Sequence, residues 1–213
     1  MSAVSETIVR EFFELHEFLV RQHRKYIAPA KGEDDDIDFF VLNPHPQPRS
    51  DGQPFILAPA DLASIERAVV VVKGWHTETF SSARLASTPE IFRFVEPKVF
   101  QQAARAFGKN SAPLKILVVP ALPQSRQARD ESIALLRAKG VDAVIPFHAM
   151  LTDLITHVEV NRNYQKSDLL QVIRILKNYD FFKEAQLELF KAKRRSRNAG
   201  SGKQEGRNKP QPE

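Results

Sequence analysis

Two short stretches hold the residue types that phosphodiester chemistry uses. GEDDDIDFF carries Asp36 and Asp38 at the end of an acidic run, and VVVKGWH carries Lys73, Trp75 and His76 behind a run of valines. Enzymes that cut phosphodiesters with Mg²⁺ hold the metal with carboxylates and keep a cation near the attacking water. If IDFFVLNP and RAVVVVK are neighbouring antiparallel strands, the start of one lies beside the end of the other. Asp38 and Lys73 then meet at one sheet edge, where a lysine can orient water or phosphate. An ordinary ion pair capping that edge is the alternative.

Other side chains bear on the same question. Trp75 and His76 offer a base-stacking platform and a metal ligand, or a ring packed on the sheet edge and a solvated loop residue. Arg21, Arg24 and Lys25 make a compact basic patch suited to phosphate contacts or to a solvated face. His16, His23, His45, His148 and His157 show no zinc-ligand spacing. Neither a dinucleotide nor a P-loop glycine pattern occurs, and there is no G-x-S-x-G elbow.

A chain of 213 residues, 42% hydrophobic and 27% charged, suits one soluble domain with a proper core. With no cysteine, disulfides, thiolate catalysis and Cys-ligated metal sites are excluded. The start, MSAVSETIVREFF, lacks the pattern of a signal peptide, and no stretch has the length of a membrane span. A cytoplasmic protein with no membrane partner is the expectation. The net charge of +5 is unevenly held: residues 191–213 contain eight Lys or Arg and two Asp or Glu. That leaves 23 positive and 24 negative charges on residues 1–190. The tail, with Lys193, Arg194 and Arg195, reads as disordered, serving either phosphate binding or solubility.

The elements that must position these residues follow from periodicity. Helical spacing covers 5–24, giving way to a strand within 18–28. IDFFVLNP is a short strand stopped by Asn-Pro, and HPQPRSDGQP is a long hairpin loop. Residues 67–73 form a strand buried on both faces, since no polar alternation interrupts it. Residues 76–90 read as a loop, followed by a helix near 96–107 closed by Gly108. LKILVVPAL is a strand, ARDESIALLRAKG a helix with Gly140 past its end, and VDAVIPF a strand. Helices fill 150–190, the last starting at Ser167. Its apolar stripe suits the core or a homodimer through 167–190.

This order, with Asp36 and Asp38 in DDIDFFVLNP and Lys73 and Trp75 in VVVKGWH, resembles the PD-(D/E)xK nuclease superfamily. The Mrr-like and nuclease-related (NERD) branches, with a motif of the form DxDxxV … EvKxW, are the most similar. The resemblance spans about 5–147. It implies an α/β fold with a restriction-endonuclease-like three-layer core around a mixed sheet (1–149), a helical C-terminal extension (150–190) and the basic tail (191–213). It further implies a Mg²⁺- or Mn²⁺-dependent nuclease acting on DNA more than RNA. Asp38 and Glu14 or Glu11 would be metal ligands, with the Val72 carbonyl, and Lys73 would position the water. One departure stands out: Val71 occupies the place of the motif's Glu. Glu78 or His76 is the nearest substitute ligand. Without one, the chain is a degenerate relative that binds nucleic acid or protein and does not cut.

Overall fold

The computed structural model describes residues 3–22, 37–47, 52–108 and 112–182. The elements expected within 23–36 and 183–190, Asp36, Arg24, Lys25 and the tail lie outside them.

Valine-rich β3 (Arg67–Val72) is the middle of a five-stranded sheet. β-branched side chains lose little on a pleated surface that is covered on both sides, and all of Ala68–Val72 is buried. On one side β3 pairs antiparallel with β2 (Phe39–Leu42), which pairs antiparallel with β1 (Leu19–Gln22). On the other it runs parallel to β4 (Leu114–Val119), and β4 runs parallel to β5 (Ala143–Pro146). The sheet order is β1-β2-β3-β4-β5, a meander continued by two parallel strands.

Parallel neighbours need crossover chains, and these become the helices of one face. Val69 and Val71 point into a core with Leu85 of α2 (Ser82–Ala86), Ala103 of α3 (Pro97–Ala104) and Leu136 of α4 (Arg126–Ala138). Ala68, Val70 and Val72 point into the other core. There they meet Phe12 and Phe13 of α1 (Ala3–Leu15), Met150 and Leu154 of α5 (Phe147–His157) and Ile173 of α6 (Asp168–Asn178). Helices therefore cover both faces of a mixed α/β sheet.

Local chemistry sets the helix ends. Ser81, Ser125 and Ser167 accept from the N–H of Arg84, Ala128 and Leu170 and so cap α2, α4 and α6. The expected first helix over 5–24 is shorter. It stops at Leu15, where Glu17 takes a φ of 62° and Phe18 N–H returns to Phe13 O at 3.1 Å. The apolar spacing continues past that point into β1, which is why periodicity alone extends the helix. The stretch 76–90, expected as a loop, contains α2 and the start of a 3-10 helix (Pro89–Val95) that buries Ile91, Phe92 and Phe94. The β2–β3 connection also does more than turn: Phe55 O and Leu57 N–H both bond Val144, which covers the outer edge of β5.

Candidate functional site

Asp38 precedes the first β2–β3 pair, Phe39 with Val70, and so stands across from Val71. Its N–H donates to Val70 O at 3.1 Å, and its Oδ2 accepts the Val72 N–H at 2.7 Å. The residue is thus bonded on either side of Val71. A continuing ladder would give that N–H to a backbone carbonyl; here a carboxylate ends the ladder. Only 6% of Asp38 is exposed, and Val71 is 1% exposed. A buried carboxylate needs donors, and one of its two oxygens has a backbone donor at close range.

Lys73 directly follows β3, half-buried, with its N–H on Val118 O at 3.0 Å. The lysine thus leaves the sheet one residue beyond Val72, whose N–H Asp38 holds. Gly74 is required by what comes next. A Cβ there would lie 2.5 Å from Ser5 Oγ, which sits in the first turn of α1 and is fully buried. Ser5 Oγ is in turn 3.0 Å from His76 Nε2, and the His76 ring packs edge-on against Phe147 at 4.6 Å. This Ser–His contact ties the β3 tip to α1 and α5; the buried hydroxyl leaves no approach for a substrate.

Trp75 is half-buried against Phe80, with the Arg84 guanidinium over its ring at 5.3 Å. Glu78, the proposed substitute ligand, has Arg84 Nε at 3.4 Å from its Oε2. Of the α1 carboxylates, Glu11 is buried beside Arg10 at 3.4 Å and Glu14 is exposed. α1 packs on the opposite sheet face from the core that holds Val71. Arg21, on the edge strand β1, is exposed and stacks on Phe40 at 5.9 Å.

Mg²⁺ takes oxygen ligands, and a nuclease centre needs several carboxylates converging on it. Among the described residues, no group of three or more His, Asp or Glu side chains is arranged to hold a metal ion. The side chain of Val71, across from Asp38, offers no oxygen ligand. Among the described residues at the strand tips, Asp38 and Glu78 are not joined by further ligands into such a group. No helix among the described residues is long and apolar enough to cross a membrane. The chain matches no protein-family model, no curated protein and no solved structure.

One cluster escaped the motif search. His16 Nε2 lies 2.8 Å from Asp153 Oδ2, and His157 Nδ1 lies 3.3 Å from Asp153 Oδ1. The histidines show no zinc-ligand spacing in the sequence, and the fold brings two of them to one carboxylate. The i,i+4 spacing of Asp153 and His157 on α5 is a legible signal, because such residues share a helix face.

Proposed function

We propose that this chain is a degenerate relative of the PD-(D/E)xK nucleases that binds nucleic acid and does not cleave it. The observation that carries this reading is the bond from Val72 N–H to Asp38 Oδ2, directly beside Val71. A carboxylate that closes a sheet ladder, next to a valine sealed in the core, has a structural duty in place of a metal. The order of elements, a helix followed by a three-strand meander and two parallel strands, supports the restriction-endonuclease-like part of the proposal. The binding part rests on charge. Residues 191–213 carry a net +6 from eight cations and two anions, against a near-neutral remainder. Dense cations attract phosphate backbones and release counterions. Arg21, Arg24, Lys25 and Trp75 remain secondary contacts in this reading.

The test is a cleavage assay on single- and double-stranded DNA and RNA with Mg²⁺ or Mn²⁺, comparing wild type, Lys73→Ala and Val71→Glu. The wild type is expected to leave every substrate intact. Cutting by the wild type that Lys73→Ala abolishes would overturn the proposal in favour of an active nuclease.

A further inference from the structure

α6 has two apolar faces. Ile173 is buried, and Leu169 and Leu170 pack beside it on the core shared with α1 and α5. On the opposite side, Val172 is 52% exposed, Ile175 44% and Tyr179 70%. Spacings of three and four residues put these three on one stripe. Asp180, in the left-handed region, turns the chain so that Phe181 N–H returns to Leu176 O at 3.1 Å. Phe181 then stands 71% exposed at the end of the stripe. The apolar residues of this helix therefore form two stripes, and one of them faces outward.

A surface helix normally turns charge to solvent. α4 does so, with Arg126, Asp130, Glu131 and Arg137 exposed. The outer stripe of α6 breaks that rule, and its size can be bounded. A whole aromatic side chain presents about 150–250 Å², so Tyr179 and Phe181 at their exposures leave roughly 200–350 Å² open. With Val172 and Ile175 the stripe reaches on the order of 400–500 Å², the size of the largest apolar patch on an ordinary monomer and often a functional one. Burying two such stripes against each other removes on the order of 800–1,000 Å² before any polar rim is counted. That is close to the ~1,000 Å² a specific interface clears.

The occupant follows from charge and shape. A lipid surface attracts helices that carry Lys and Arg beside the apolar face. Here Arg174 Nε is turned onto the Val160 carbonyl at 2.8 Å, and Lys177 Nζ onto those of Ile155 and Val158 at 2.7 Å each. Asp168 and Asp180, both exposed, stand at the two ends of the stripe. The stretch between them on this face is uncharged, so a second copy meets it without repulsion at the centre. Gln171, Ile175 and Tyr179 form an i,i+4 ridge beside the smaller Val172. Ridges of this kind interdigitate at a crossing of about −50°, which spreads the acidic ends apart.

We propose that the outer face of α6 is a self-association surface through which two copies of this chain pair about a two-fold axis near Ile175. Val172, Ile175, Tyr179 and Phe181 are its apolar centre, and each copy offers the same patch to the other. The pairing does not depend on a nuclease ancestry or on nucleic-acid binding.

Sedimentation equilibrium of the full chain between about 1 and 100 μM should show the mass rising from one chain towards two. Val172→Glu keeps a good helix former at an exposed position and sets a carboxylate in the contact. It should weaken pairing at least tenfold while circular dichroism shows the fold unchanged. The chain has no cysteine, so Ile175→Cys supplies a single thiol that only a second copy can match. With oxidised glutathione as oxidant it should form a disulfide-linked dimer. Asp130→Cys, on α4 across the sheet, should not, because the bond needs Cα atoms within about 7 Å. A mass of one chain at about 100 μM would overturn the proposal, as would equal pairing in wild type and Val172→Glu. Cross-linking of Asp130→Cys as fast as of Ile175→Cys would do the same. A monomer destabilised by Val172→Glu would assign the stripe to residues of the same chain beyond 182, and a monomer that co-sediments with phosphatidylcholine vesicles would assign it to lipid. Either result overturns pairing.

Discussion

At the residue scale, Asp38 and Val71 decide how the strand tips behave. Removing the acceptor in Asp38→Ala leaves a buried Val72 N–H without its partner, a loss of about 1–3 kcal/mol. Asp38→Asn keeps an acceptor oxygen and should lose less. Urea midpoints at constant slope give both values. Equal stability of Asp38→Ala and wild type would remove the structural duty assigned to this carboxylate. Val71→Glu buries a second carboxylate beside the first, so a drop of about 3 kcal/mol or more is expected in metal-free buffer. Added Mn²⁺ should restore part of that loss in Val71→Glu and leave the wild-type melting temperature unchanged, because an ion stabilises only a state that binds it. A Mn²⁺-dependent rise in the wild type would mean that the native tips already hold metal.

The same residues show what a sequence can reveal. Asp38, Val71 and Lys73 are visible because strand register follows from two short apolar runs, and the observed pairing sets Asp38 across from Val71. Whether the carboxylate faces a metal or a backbone N–H is decided by atomic positions, which no spacing encodes. His16 and Asp153 are 137 residues apart, and only the docking of α1 on α5 joins them. The half of that cluster within α5 was legible as D-x3-H.

At the scale of elements, helix ends carry the consequences. α1 and α6 both close through a non-glycine residue in the left-handed region, Glu17 and Asp180, each with φ of 62°. After Asp180, Phe181 N–H returns to Leu176 O at 3.1 Å, as Phe18 does to Phe13 in α1. A side chain in that conformation is strained, so Glu17→Gly should stabilise the chain by up to about 1 kcal/mol, net of glycine's entropy. A lower melting temperature would contradict this. Such ends are hard to read from sequence, because the usual glycine signal is absent; at Gly140 it was present and the end of α4 was legible. Lys177 ties α6 to the last carbonyls of α5. Lys177→Met removes charged hydrogen bonds of about 1.5–3 kcal/mol together, and thermal unfolding should register that loss.

For the whole molecule, charge is divided between a near-neutral body and the basic tail. The fold class was legible because uninterrupted valine and leucine runs alternate with helical segments, which requires a sheet covered on both faces. Function was less legible, since the partners of Asp38 and His76 depend on atomic positions that no residue spacing encodes. The proposal of binding without cutting makes a quantitative claim about salt. Affinity for duplex DNA would be measured between 50 and 200 mM salt for the full chain and for a variant with Lys191, Lys193, Arg194, Arg195 and Arg197 changed to Gln. Each neutralised phosphate adds about −0.9 to the slope of log K against log salt, so five contacts give roughly −4 to −5. The account predicts such a slope in the full chain and a much flatter one in the variant. Weak binding of the full chain with no dependence on salt would contradict it.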